Sequence, residues 1–435
     1  MGAVKAAVAI SLALAGASAS AESLSVGLAR MLVEHNLMKA VDNDVASAKE
    51  QIGIEKSGWL PRVGIRANAG SQHVSRDTPT TATPNGNYNP RETTLTANQL
   101  IWDFGITNAS IARAEQNLTK EDLERSAQRT NLVLAGIEAH LKLLRAQITL
   151  DYSKQSEEHI KRQTQLENAR IESGKGLTTD LLQAKVQLAG AQARRVAAEG
   201  TLATSTNRYK AVFGDDKVPA GRLETVKESG QAVPKSLDEA LDLVATNNPD
   251  VLAAQARAEL KTAERDATKA KEYMPRIDMQ AETGRKDEPD GQLGWRRDNK
   301  IGIHANWNFD LGMRASHAVD SASYAAASEA EKASYTAVQA REEARNAWSD
   351  LNTARQRLEF LNDQVEIAKR FLELARKERE LGRRTLLDVL QGEVNLINAQ
   401  SDAASAETDV VLASFRVLRA VGRLDPAQVV AMARK

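Results

Sequence analysis

Apolar residues in the second half of this chain fall on alternating steps of three and four, through Ala344, Ala347, Leu351, Ala354, Leu358, Leu361, Val365, Ala368, Leu372 and Ala375. That run is the seam of a coiled coil and predicts a long helix. A second stripe follows it through Leu390, Val394, Ile397, Ser401, Ala404, Thr408, Val411, Phe415 and Leu418. The first half carries the same two stripes in weaker form. Leu134, Ile137, Leu141, Leu144 and Ile148 keep the seam, and Leu182, Val186, Ala189, Ala193, Val196, Gly200 and Ala203 answer it. Each half therefore predicts a helical hairpin. Its first arm, about 106 to 172, would span roughly 100 Å if continuous, longer than any compact domain needs.

Ahead of each hairpin the period drops to two. Ile277, Met279, Ala281 and Thr283 alternate with Asp278, Gln280, Glu282 and Gly284, and Ile301, Ile303, Ala305, Trp307 and Phe309 alternate with polar residues and glycine. Val63, Ile65, Ala67 and Ala69 repeat the pattern in the first half, with a partner segment near 92–103. These four segments predict strands with one apolar and one polar face, joined pairwise by polar loops near 74–91 and 284–298. Strands of about 9 to 11 residues cross a bilayer when tilted.

The two halves are copies of one unit. Trp59-Leu60-Pro61-Arg62-Val63 returns as Tyr273-Met274-Pro275-Arg276-Ile277, and Trp102-Asp103-Phe104-Gly105 as Phe309-Asp310-Leu311-Gly312. A shift of 208 positions carries Glu172, Gly174, Asp180, Leu182, Gln183, Val186, Leu188, Ala191 and Gln192 onto identical residues from Glu380 to Gln400, and Gly214 onto Gly422. Such self-similarity marks a duplicated supersecondary unit. The expected organisation is a repeat at 22–213, a linker at 214–235, a second repeat at 236–422 and a tail at 423–435, each repeat reading helix, strand, strand, long helical hairpin.

The first residues read as an address. Lys5 precedes an apolar run from Ala6 to Ala15, and Ala19-Ser20-Ala21 offers a small-residue cleavage site, so 1–21 is expected to be a signal peptide. No later stretch approaches the roughly 20 apolar residues of a transmembrane helix. In lipid, four strands leave two open edges whose backbone groups are costly to leave unpaired, so copies must complete the sheet. Three copies give twelve strands; two give eight, a barrel that side chains fill. A conducting pore favours three. The expected fold is mainly α with a membrane β-barrel part.

Composition narrows the function further. The 435 residues include no cysteine, which removes disulfides, thiolate metal sites, cysteine nucleophiles and a lipidated N-terminal cysteine. Lysine plus arginine equals aspartate plus glutamate at 58 each, which gives no argument for nucleic acid. Aromatics are only 4 %. The alanine-rich seams bury little, about 0.8 kcal/mol per CH₂ at best, so stability must come from many helices side by side. His35, His73, His140, His159, His304 and His317 are scattered and read as solvated, and no catalytic motif, metal set or cofactor site is present.

The paired W/Y-[LM]-P-R segments, Asp103-Phe104-Gly105, Asp310-Leu311-Gly312 and the run from Gly382 to Leu390 resemble the recurrent motifs of the TolC family over essentially the whole mature chain. That resemblance implies a homotrimer whose twelve strands form one barrel in outer-membrane lipid. Its helices would form a tapering periplasmic tunnel, docked on a periplasmic adaptor (membrane fusion protein) and an inner-membrane ABC or RND pump. The missing cysteine leans toward the type I protein-secretion branch, with multidrug or small-molecule efflux as the alternative. By motif match, Asp180 and Asp388 would ring the tunnel entrance, Arg384 would link to Asp180 in the closed state, and Gln391 stands where some relatives carry a second acid. Read from spacing alone, both aspartates are also first-turn residues that favour a helix N-terminus. Gly174 and Gly382 read as turn residues, and Lys175, Arg383 and Arg384 as loop charges, compatible with docking of the adaptor. Two rivals from other classes remain. A periplasmic adaptor should have a single hairpin, and a coiled-coil scaffold leaves the strands unexplained.

Overall fold

The computed structural model describes residues 24–174, 177–214, 223–226, 228 and 233–424. The expected signal peptide, Lys175, most of the inter-repeat linker and the tail beyond Leu424 lie outside the described residues. The chain runs α1 (Leu24–Glu34), α2 (Asn36–Lys56), β1 (Arg62–Ala69), β2 (Gln72–Val74), β3 (Gly86–Tyr88), β4 (Arg91–Trp102), α3 (Ile106–Glu172) and α4 (Thr178–Phe213). It continues α5 (Leu237–Asn247), α6 (Pro249–Tyr273), β5 (Arg276–Asp287), β6 (Trp295–Asn306), α7 (Arg314–Glu380) and α8 (Leu386–Ala420). The first arms α3 and α7 are 67 residues each, unbroken. Among the described residues, no helix is long and apolar enough to cross a membrane.

Four strands form one antiparallel sheet in the order β1-β4-β5-β6, so each repeat contributes an adjacent pair. The segment between β1 and β4, read as a polar loop, contains a separate small sheet of β2 and β3. In the second repeat, β5 runs on to Asp287 and β6 begins at Trp295, both beyond the expected loop limits, because the added residues keep pairing across the strands. One such cross-strand tie is Lys286 Nζ to Glu92 at 2.8 Å. β6 then stops at Asn306, short of the expected end near 310. Trp307 leaves the strand to donate its indole N–H to the Tyr273 carbonyl at 3.1 Å, and Asp310 accepts the Gly312 N–H at 2.7 Å to turn the corner into α7. The matching corner of the first repeat is tighter. Asp103 is buried and accepts from the N–H groups of Gly105 (3.1 Å) and Thr107 (2.7 Å), while Phe104 takes a left-handed φ of 52°.

The chain divides into two compact units that cut across the repeats: residues up to His35, Arg129–Asp242 and Glu343 onward in one, Asn36–Gln128 and Leu243–Glu342 in the other. Within the first unit, Ala344, Ala347, Leu351, Leu372 and Ala375 of the α7 seam are buried, as are Leu390, Val394, Thr408, Val411, Phe415 and Leu418 of α8. α4 departs from expectation. Its buried residues are Leu181, Ala184, Ala191, Ala198, Tyr209, Val212 and Phe213, whereas Leu182, Val186 and Val196 of the expected stripe are exposed. Ala184 and Ala191 pack with Ile160, Leu386, Leu390 and Val394, so the alanine face of α4 is the one its own chain covers.

The reading of all six histidines as solvated also fails at His140, which is fully buried on α3. Its Nε2 lies 3.1 Å from the Glu224 carbonyl oxygen, and Gln147 one turn-pair further on accepts the Leu223 N–H at 3.1 Å. Glu228 then bonds Arg355 of α7, with Arg355 Nε at 3.0 Å. The described part of the linker is thus strapped across both long helices. Burial holds the His140 imidazole below its ordinary pKa, against the opposing bond to Glu224.

Candidate functional site: sheet face and hairpin tips

Register decides what the sheet is for. Val63, Ala97, Ala281 and Ile301 stand side by side across the four strands, as do Ile65, Leu95, Thr283 and Asn299, with Met279 against Ile303 beside them. This face is water-accessible in the single chain: Ile65 is 77 % exposed, Ile301 73 % and Ile303 72 %. A patch of that kind marks contact with lipid or protein. The other face is polar and internally paired. Lys286 sits between Glu92 (2.8 Å) and Asp298 (3.8 Å), and Arg296 reaches Asp298 at 2.8 Å. At the helix-proximal end, Trp102 packs edge-on against Phe104 and Trp307 against Phe309, with all four rings exposed. Apolar outside, charged inside and rimmed by aromatics is the wall pattern of a transmembrane barrel. Both edge strands, β1 and β6, have one unpaired side among the described residues.

Each hairpin turns on a glycine. Gly174 (φ 73°) and Gly382 (φ 72°) both occupy the left-handed region, which other residues enter only with strain. After α7 the turn is a Schellman motif, with Gly382 N–H bonded to the Arg379 carbonyl at 2.9 Å and Arg383 N–H to that of Glu378 at 2.8 Å. Thr385 then caps α8 in a capping box with Asp388. The Thr385 hydroxyl donates to Asp388 Oδ2 at 2.8 Å and accepts the Asp388 N–H at 3.3 Å. These bonds to Thr385, with the nearby Arg384 charge, hold the Asp388 carboxyl below its usual pKa. Gln391 turns away from it and donates to Asn395 at 2.9 Å.

Within the single chain Arg384 and Asp180 are not bonded to one another. Arg384 Nε reaches Glu378 at 2.6 Å and its guanidinium lies 5.2 Å from the Phe371 ring centre. Asp180 sits in the first turn of α4, behind Leu177, which supplies no side-chain cap. Its charge acts on Arg379 instead. Arg379 pairs at 2.9 Å with Glu167, whose side chain is 5 % exposed, and burial is the chief cause holding the Arg379 pKa below the ordinary guanidinium value. A second buried acid, Glu393 on α8, pairs with Arg376 at 2.7 Å. The sequence reading missed both pairs. Neither lies on a repeat match, and a buried glutamate has no signature in one sequence.

A model of the family "Outer membrane efflux protein" matches residues 28–215 and 240–423. The outer membrane efflux protein BepC of Brucella suis biovar 1 (strain 1330) is 26 % identical over 415 residues, covering 94 % of this chain and 87 % of that protein. Outer membrane protein TolC of Escherichia coli (strain K12) is 24 % identical over 409 residues, covering 90 % and 80 %. Among solved structures, the outer membrane protein VceC of Vibrio cholerae superposes with a TM-score of 0.77 at 18 % identity, covering 92 % of this chain and 96 % of that one. With the family model spanning most of the sequence and the barrel-wall sheet and paired helical hairpins in place, this chain belongs to the outer membrane efflux protein family, as a channel of the outer membrane and not an enzyme.

Proposed function

We propose that three copies of this chain assemble into the exit duct of a tripartite export machine. A periplasmic adaptor and an inner-membrane ABC or RND pump would engage the hairpin tips. The observation that carries this reading is the four-stranded sheet with an exposed apolar face and two unpaired edges, since lipid does not tolerate open edges and three such sheets make a twelve-stranded wall. The exposed Leu182, Val186 and Val196 supply a second surface for a neighbouring copy. Light scattering in detergent should return a trimer that conducts in a planar bilayer. A monomer, or a trimer that carries no current, overturns the proposal.

Asp180 and Asp388 are proposed to line the tunnel entrance, with Arg384 clasping the second tip through Glu378 and Phe371, and Gln391 lowering the acidity one turn on. Gly174, Lys175, Gly382 and Arg383 are proposed to meet the adaptor. Carboxylate rings at a constriction attract cations, so Asp388→Asn, and less so Asp180→Asn, should weaken block by multivalent cations. Unchanged block in both variants removes the ring, and a wild-type conductance in Arg384→Ala removes the clasp. The cargo is proposed to be protein exported by the type I route, supported by the cysteine-free sequence. Deleting the gene should empty the culture medium of a secreted protein; unchanged secretion with heightened sensitivity to small toxic compounds would assign it to drug efflux.

A further inference from the structure

The loop-proximal end of the sheet departs from the rule that its outer face is apolar. Arg91 on β4, Arg285 on β5 and Arg297 on β6 lie on that face, with Arg285 directly paired in register to Arg297 and to Thr93, two residues from Arg91. All three are exposed, and among the described residues none makes an ion pair. The same strands pair their inward charges, Glu92, Lys286 and Asp298, one residue out of phase. One acid, Asp287, stands opposite Arg91, so the cluster keeps an excess of two positive charges. A depression of about 490 Å³ lies among Arg91, Arg285, Arg297 and Asp287 and continues onto Leu95 and Thr283. Arg285 lies 5.1 Å from the ring centre of Trp295, an aromatic at the end of β6 remote from the helices. Trp and Tyr mark the level of the headgroups.

Resting on the barrel reading above, we propose that this cluster binds the phosphate groups of a phosphorylated lipid headgroup in the outer leaflet. From Trp102 at the aromatic rim to Arg91, β4 runs about 37 Å along its axis, or about 26 to 31 Å in height at a tilt of about 35 to 45°, which sets the arginines at the outer margin of an apolar band roughly 25 Å tall. Adjacent guanidinium groups repel one another, and an anion between them reverses the sign of that interaction. Arginine forks match phosphate oxygens two at a time. The acyl chains then lie over Leu95 and Thr283 and, one row on, Ala281 and Ile301, so the site offers both halves of a lipid what each requires.

The test uses the intact trimer in detergent, with retained lipid read by native mass spectrometry. Bisphosphorylated lipid A should be retained about tenfold better than the same lipid with its phosphates removed, and R91Q/R285Q/R297Q should abolish that preference, whereas R285K/R297K should keep part of it. Equimolar inorganic phosphate should leave the complex intact. Equal retention of the two lipids by the wild-type trimer overturns the proposal without recourse to any variant, and so does displacement by inorganic phosphate, which would make this a site for the free anion. Conductance in a planar bilayer separates the two readings: a trimer that conducts but does not discriminate loses the lipid site alone, and one that never conducts loses the duct as well.

Discussion

The two hairpin tips share a backbone and differ in chemistry. Gly174 and Gly382 adopt φ angles of 73° and 72°, and each donates its N–H to the carbonyl three residues back. Yet α8 starts from a complete capping box between Thr385 and Asp388, and α4 starts from Leu177 with no side-chain cap. Asp388 therefore has its carboxylate engaged within its own turn, while among the described residues the Asp180 carboxylate accepts no hydrogen bond and acts on Arg379 through charge. The duplicated sequence holds its geometry where the backbone demands it and diverges where side chains assign tasks. The Glu167–Arg379 pair joins the two tips, one partner from each repeat.

The largest expected break in this comparison comes from that pair. Arg379→Met leaves Glu167 buried without its close partner, at a cost of about 3 kcal/mol. Hydrogen exchange should show both tips opening together; opening of the second tip alone would mean that the pair does not couple them. Next is the strap between the repeats. Its His140 has a folded pKa below the ordinary value of about 6.5, so its contribution is complete above that pH and is lost as the pH falls through the folded value. Amide protection at 223–226 should hold between about pH 7 and 8 and decline below about pH 6, and His140→Phe should remove the pH dependence. Thr385→Ala should cost about 1 kcal/mol and speed exchange at the start of α8 with no change at α4. The smallest effect sharpens the contrast in the other direction: Leu177→Ser gives α4 the cap that it lacks, with a gain of about 0.5 kcal/mol in tip stability.

What the sequence made legible follows from what periodicity measures. The α7 seam from Ala344 to Ala375 was readable because ten positions repeat one spacing, and the strands because Ile277 to Thr283 and Ile301 to Ala305 alternate without interruption. On α4 the same period marks a stripe that its own chain leaves exposed. Leu182, Val186 and Val196 are more apolar than Ala184, Ala191 and Ala198, yet the alanines face their own chain, since close approach of helices selects for small size. A period gives the angle of a face and not the identity of its partner. The second tip shows the same limit: the partners that Arg384 has within its own chain, Glu378 six residues back and Phe371, have no signature in a run of charges. His140 had no signal at all, because what buries it is a linker whose course no local pattern records.

The unpaired edges of β1 and β6 have a consequence in genetics. In a ring of three, every copy must lend both edges, so a variant that folds but carries a proline in one of them enters assemblies and spoils them. Where half of the chains made in a cell are of that kind, only about one ring in eight contains none of them. Edge-strand variants should therefore be dominant over the wild-type allele in the same cell, while variants that prevent a copy from folding should be recessive.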